Sequence, residues 1–543
     1  MTAQLQSPRY ADEVISDRRV RPPAWQDGSD LSASVLPRPG RRGRAIGAWL
    51  TRHPAWPVTA LLAGYPLWWA LGIADFMWIG IAIPMVSRML AWRAHRSRPL
   101  RLPPGFGLWL LFLIWTVAGV FMLTLSAPGT VVSPLSHRFV AYADRTTTYV
   151  AITVLLLYVG NLTEHELPKR KLMWLLGLLG IYTTVLGVAG ILDPAFQFNS
   201  PMLAVIPHSL RNNAFIQAQM HPALTQIQNV FGTVTSQGTP TGQGRSKAPF
   251  DYTNTWGECL TITVPWLLLV CLRTGAKRRQ RIIGWATAGF ALVALIYSLN
   301  RGAWIAVAFS VVYLAVRLAA KGRVAVIGGL VGLAALGVVA AVASPLGHVV
   351  TERLQNGKSN PIRSSLFALS MKDGLSSPIL GYGDTRQQRG SVNSVAIGPT
   401  PDCPICGQAE VGSTGQFSLV LICSGFVGVV LYFGFFALGA WRYRRDPTPE
   451  GMTGLLVILL SFIYMFTYDA VAAPLGLTML AYAILWRNDR EFALAGTAPG
   501  NGRRRLAARG QALRDGQMPR PRRLASRTIM VAGTTPDATA RAR

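Results

Sequence analysis

Ser298-Leu299-Asn300-Arg301-Gly302-Ala303-Trp304 interrupts an apolar run that extends over residues 282–320. The run is long enough for two membrane helices of about 20 residues each, so the charge at its midpoint falls where two spans meet, at a membrane face. An arginine at the bilayer centre costs roughly 2.5–3.5 kcal/mol or more, and something should offset that cost. Reading this stretch therefore settles two questions: how the chain crosses, and what meets Arg301 where it emerges.

The same pattern fills the rest of the chain. Of 543 residues, 50% are apolar and only 14% charged, and the mean hydropathy is positive, which soluble proteins rarely reach. No alternating strand pattern accompanies it, and a backbone that must satisfy itself in lipid spans as helix. The expected fold class is all-α: a polytopic integral membrane protein of about twelve transmembrane helices with two long extracytoplasmic loops. The spans are expected at 56–72, 76–91, 106–125, 147–162, 172–192, 256–272, 282–299, 303–318, 324–343, 416–440, 452–468 and 471–485.

Around this membrane domain, 56–486, lie two tails. Residues 1–55 and 487–543 are rich in arginine and proline and read as disordered basic tails. No cleavable signal peptide precedes the first span. The net charge of +29 would suggest nucleic acid in a soluble protein. Here it is topology. Basic clusters follow every second span: Arg93 to Arg101, Lys169 to Lys171, Arg273 to Arg281, Arg317 to Arg323, Arg442 to Arg445, and Arg487 with Arg490. The positive-inside rule makes those ends cytoplasmic, in the plasma membrane, with both termini inside. The long connections 193–255 and 344–415 then face outward, and so does the Arg301 turn.

Arg301 is thus a cation on the wrong side for the charge rule. Snorkelling to lipid headgroups is the simplest account. Asn300 and Gly302, however, flank it as residues that let a backbone turn tightly and approach a ligand. Two further outer arginines have similar settings. The first loop ends Gly244-Arg245-Ser246-Lys247-Ala248-Pro249-Phe250-Asp251-Tyr252-Thr253-Asn254, with Asn254 at the mouth of the next span. The second loop holds Asn360-Pro361-Ile362-Arg363, where helical spacing runs from Ile362 to Met371 with Pro361 suited to its start. Pro378-Ile379-Leu380-Gly381-Tyr382-Gly383 follows, a glycine-punctuated turn able to aim amides at an anion. Guanidinium binds phosphate oxygens in pairs and stays charged, so Arg245, Arg301 and Arg363 together suit a diphosphate.

In order and topology these elements resemble the O-antigen ligase and polymerase-like family of polytopic glycosyltransferases, over residues 55–490. The resemblance implies an inverting, metal-independent glycan transfer from an undecaprenyl-diphosphate-type carrier to an acceptor hydroxyl on the outer face, without a cofactor. Arg245, Arg301 and Arg363 would hold the donor diphosphate, supported by Asn254, Asn300, Gly381 and Gly383. Partners would be the lipid-linked donor, a glycan or lipid acceptor and membrane lipids, with no nucleic acid. The family also places a histidine shortly before the span after the large loop. This chain has Val411-Gly412-Ser413-Thr414-Gly415-Gln416 there, and His348 lies far too early. A sugar hydroxyl needs a base near neutral pH, and Glu410 is the nearest substitute, with Asp384 and Asp402 in the same loop. Cys403-Pro404-Ile405-Cys406 reads as a loop disulfide, there being no second pair for a metal. Two other readings remain open: a transporter or flippase for lipid-linked or anionic solutes, and a catalytically silent envelope scaffold.

Overall fold

A computed structural model describes residues 53–95, 98–130, 134–207, 219–227, 244–298, 300–322, 328, 359–387 and 410–497. The chain divides into two units, Met1–His53 and Pro54–Arg543, and His53 is the single described residue of the first. Both expected tails, the Cys403–Cys406 pair, Asp402, His348 and the ninth expected span apart from Gly328 lie outside the described residues. The exceptions are residues 53–55 of the first tail and 487–497 of the second.

In chain order the described helices begin with α1 (Trp56–Ala63), α2 (Tyr65–Ala70), α3 (Ala74–Ala94), α4 (Phe106–Ala118), α5 (Leu135–Asn161) and α6 (Lys169–Leu192). They continue with α7 (Thr253–Cys271), α8 (Arg278–Tyr297), α9 (Arg301–Ala319), α10 (Ser359–Ser376), α11 (Gln416–Tyr443), α12 (Pro449–Tyr464) and α13 (Ala473–Thr497). Five of the described helices, α3, α6, α8, α9 and α11, are long and apolar enough to cross a membrane. The apolar segments Phe106–Met122 and Pro449–Tyr464 are shorter. Two short antiparallel ribbons qualify the all-helical expectation: β1 (Thr225–Ile227) with β2 (Gly244–Ser246), and β3 (Arg386–Gln387) with β4 (Glu410–Val411).

Two helices are buried nearly all round, as helices at the centre of a bundle must be. In α7 burial is continuous from Trp256 to Thr263, and in α13 it runs from Leu475 through Trp486. The outer helices point large apolar side chains away from the protein, among them Phe290 on α8 and Ile305, Val312 and Val316 on α9. Close packing of α6 on α7 depends on glycine. A Cβ at Gly177 would lie 2.9 Å from the Leu267 backbone, and one at Gly187 would lie 2.6 Å from the Trp256 ring. Small residues at such spacing let membrane helices approach backbone to backbone.

The ends of the bundle differ. At one end the basic clusters meet: Arg98 pairs with Glu166 at 2.7 Å, Lys169 with Glu491 at 2.7 Å, Arg487 with Glu164 at 2.8 Å and Arg442 with Asp489 at 2.9 Å. Arg317, near the end of α9, donates to the carbonyls of Arg444 and Asp446. The opposite ends of α9 and α11 start at Arg301 and Gln416. At 1.5 Å per residue α9 is about 28 Å long, so the arginines expected as ligands stand a full helix away from the basic clusters.

The structure departs from the sequence reading at α5 and α11. Helix α5 begins at Leu135, within the connection expected to be a loop, because Arg138 and Arg145 are held. Arg138 donates to the carbonyls of Leu123 and Leu125, and Arg145 pairs with Asp384 at 2.8 Å. Helix α11 breaks at Gly425, whose φ of 67° is left-handed. The carbonyls of Ile422 and Cys423 then accept from the amides of Tyr382 and Gly383, and the Phe426 amide donates to Pro378 O. The break is thus stitched by 378–383. Gly425→Ala places a Cβ 2.5 Å from Ile379 O. We expect a cost above the roughly 1–2 kcal/mol of a left-handed non-glycine residue, read as a lowered Tm of the detergent-purified protein.

Candidate functional site

Helix α9 starts at the Arg301 turn, and Asn300 is its N-cap. The Asn300 Oδ1 accepts from the Ala303 amide at 3.1 Å and also from the Tyr468 hydroxyl, while Nδ2 donates to Thr253 O at 3.2 Å. One side chain thereby joins the starts of α9 and α7 to the turn between α12 and α13. Two glycines make room. A Cβ at Gly302 would stand 2.5 Å from the Tyr468 hydroxyl, and one at Gly257 would overlap the Asn300 amide. Gly302 therefore serves close approach inside a helix, not the tight turn read from sequence.

Arg245 comes to the same place on β2, opposite Gln226 of β1. Its side chain is buried, and Nε donates to Ser298 O at 2.7 Å. Arg363 arrives on α10, which starts at Ser359, so it lies in the second turn and not the first. It is exposed, donates to Thr467 O at 2.9 Å and sits 5.7 Å over the Tyr468 ring. Tyr468 feels the charges of both Arg363 and Arg245. The three arginines chosen from sequence, 245, 301 and 363, are thus brought together around Asn300 and Tyr468. Asn254 is the second residue of α7, partly exposed and next to Thr253. Arg301 at the first position of α9 puts a cation where the helix dipole is already positive. That arrangement opposes folding on its own terms and favours an anion.

Gly381 and Gly383 do a different job from the one expected. The Gly381 amide donates to Ser377 O at 3.1 Å and the Gly383 amide to Cys423 O at 3.1 Å. Both glycines are left-handed, with φ of 67° and 73°, and their backbone packs against α11 and the end of α4. The Gly381 amide is spent within its own turn and the Gly383 amide on the broken helix, so neither faces a ligand. Asp384 is likewise committed, to Arg145.

Glu410 stands on β4 and accepts from the Thr385 hydroxyl at 3.2 Å. Its surface is open to solvent, yet its surroundings and the Asp384 charge raise its pKa above the usual carboxylate range. Tyr252, at the foot of α7, has the same double character and is influenced by Glu410 and Asp469.

Tyr468 and Asp469 were missed in the sequence. Asp469 sits in the turn between α12 and α13, with Oδ1 buried and without a hydrogen-bond partner among the described residues. Burial, then the neighbouring Glu410, push its pKa up to about 7 against the pull of Arg363 and Arg145. Gln416 fixes the backbone on both sides of it: its amide donates to Tyr468 O, and its Oε1 accepts from the Ala470 amide, each at 2.9 Å. A signal existed, since Asp469 is the single acid in the apolar stretch 452–486, much as Arg301 marks the midpoint of 282–320.

A scan against protein-family models and a search of curated proteins find no match to this chain.

Proposed function

We propose that this membrane protein is an O-antigen ligase-like glycosyltransferase. It moves a glycan from an undecaprenyl-diphosphate-type carrier to an acceptor hydroxyl at the outer face of the cell membrane, with about twelve spans and both termini in the cytoplasm. The observation that carries this reading is the gathering of Arg245, Arg301 and Arg363 at one helix start, at the bundle end away from the basic clusters. Three guanidinium groups and a helix N-terminus suit a diphosphate better than any neutral ligand.

In the reaction the diphosphate is a leaving group whose charge grows as the glycosidic bond breaks. Preorganised cations stabilise that growing charge more than they stabilise the ground state. An acceptor hydroxyl attacks the anomeric carbon from the opposite face and inverts it. Deleting the protein should make lipid-linked glycan accumulate in the membrane, measured in a solvent extract after mild acid release. An unchanged pool would overturn the proposal.

One observation favours the transporter reading instead. Glu258 of α7 is fully buried, and neither carboxyl oxygen has a partner among the described residues. Ionisable groups inside spans often mark transport paths. Movement of lipid-linked glycan between the leaflets of proteoliposomes holding the purified protein would favour that reading.

A further inference from the structure

The base that a family histidine would supply is missing from its usual position, and Glu410 is a poor replacement on geometry. It stands at the end of a two-residue ribbon, and its carboxylate accepts from the Thr385 hydroxyl of the neighbouring segment. The turn after α12 offers a better-held carboxyl. Resting on the transferase reading above, we propose that Asp469 is the catalytic base that takes the proton from the acceptor hydroxyl.

Position is the first argument. Asp469 follows Tyr468, the ring that ties Asn300 to the arginines, and Arg363 is bonded to the carbonyl two residues before it. A base here stands next to residues that Arg363 touches, close to the groups that would hold the diphosphate. Rigidity is the second. Gln416 holds the residues on either side, and its Nε2 donates to the Tyr149 hydroxyl at 3.3 Å, so α5, α11 and the turn share one frame. Catalytic groups need this kind of supporting shell. Availability is the third. A base needs an oxygen with a lone pair not already committed, and Asp469 Oδ1, though buried, has no hydrogen-bond partner among the described residues.

The charges facing Asp469 come from several elements: Glu410 on β4, Arg363 on α10, Arg145 on α5 and Glu258 on α7, with the Tyr149 hydroxyl also near. Their balance leaves the carboxyl titrating at about 7. A base of that strength is half deprotonated at neutral pH and still accepts a proton readily.

The acceptor O–H bond breaks and its proton passes to the Asp469 carboxylate, while the oxygen bonds to the anomeric carbon. The bond from that carbon to the diphosphate oxygen breaks, with its electron pair leaving on the diphosphate. Asp469 then returns the proton to water or to the departing diphosphate.

The test uses the full-length protein in membranes of its own host. The donor probe is the lipid-linked glycan extracted from a strain lacking the protein, and the acceptor is the envelope fraction of that strain. Transfer is followed from about pH 5 to about pH 9, across the range where a carboxyl of this kind titrates. Wild type should lose transfer as pH falls through about 7. Asp469→Asn should lose roughly 100-fold or more of its rate and still retain the lipid-linked glycan on sedimentation. Asp469→Glu should recover part of the rate with a displaced acid limb, which a merely structural role would not produce. Glu410→Gln removes a charge that raises Asp469, so its acid limb should move to lower pH. If Asp469→Asn keeps the wild-type rate, or if Glu410→Gln abolishes the acid limb, Asp469 is not the base. If wild type itself consumes no lipid-linked glycan, the transferase reading falls and the assignment falls with it.

Discussion

Arg301→Ala should reduce glycan transfer by roughly 100- to 1,000-fold, the loss expected when one preorganised group facing developing charge is removed. The protein should remain in the membrane, because Asn300 still caps α9 and the removed guanidinium lies at the first helical position. Arg301→Lys should fall between the two. It restores a point charge without the paired geometry that guanidinium offers phosphate. The measurement is the rate at which membranes consume lipid-linked glycan at matched protein levels. Normal transfer by Arg301→Ala would remove the assignment of this site.

Arg301 was legible in the sequence because a charge at the midpoint of a double-length apolar run has few places to go. Arg245 and Arg363 were legible as arginines near expected span mouths, and the helix carrying Arg363 was legible from its spacing and Pro361. What brings them together was not. Asn300 reaches Thr253 and Tyr468 across 47 and 168 residues of chain, and no local pattern reports such pairings. Asp469 carried the same signal as Arg301, a single charge in a long apolar stretch, and its meaning depends on the arginines that fold against it. The Gly381 and Gly383 turn was misread for a related reason. Its amides look free until the break at Gly425 leaves carbonyls of Ile422 and Cys423 for them to serve. The start of α5 was hidden because Arg138 and Arg145 spoil its apolar pattern, while the groups that satisfy them lie near residues 123 and 384. Span length and charge sidedness are properties of local sequence. The site is a property of which turns meet at one end of the bundle.

Asn300 separates stability from function most cleanly, through two substitutions that should behave in opposite ways. Asn300→Ala removes the cap of α9, worth about 1 kcal/mol, together with the links to Thr253 and Tyr468. Because Asn300 is buried, the Thr253 carbonyl and the Tyr468 hydroxyl lose a partner without gaining water, which adds roughly 1–3 kcal/mol per orphaned group. Asn300→Ala should therefore unfold at a clearly lower temperature and transfer poorly. Asn300→Asp keeps the capping oxygen and the acceptor for Tyr468, and a carboxylate at a helix N-terminus is favourable. It leaves the Thr253 carbonyl without its donor and beside a carboxylate oxygen, so its Tm should also fall, by less than that of Asn300→Ala. Function should fail all the same. A carboxylate at position 300 adjoins Arg301 and lies by the turn that Arg245 holds, so it competes with the diphosphate for those cations. Asn300→Asp should thus be the more stable variant and the weaker donor binder, measured as lipid-linked glycan retained on sedimentation of each protein. Equal donor retention by Asn300→Asp and wild type would mean that the arginines around Asn300 do not hold the donor's charge.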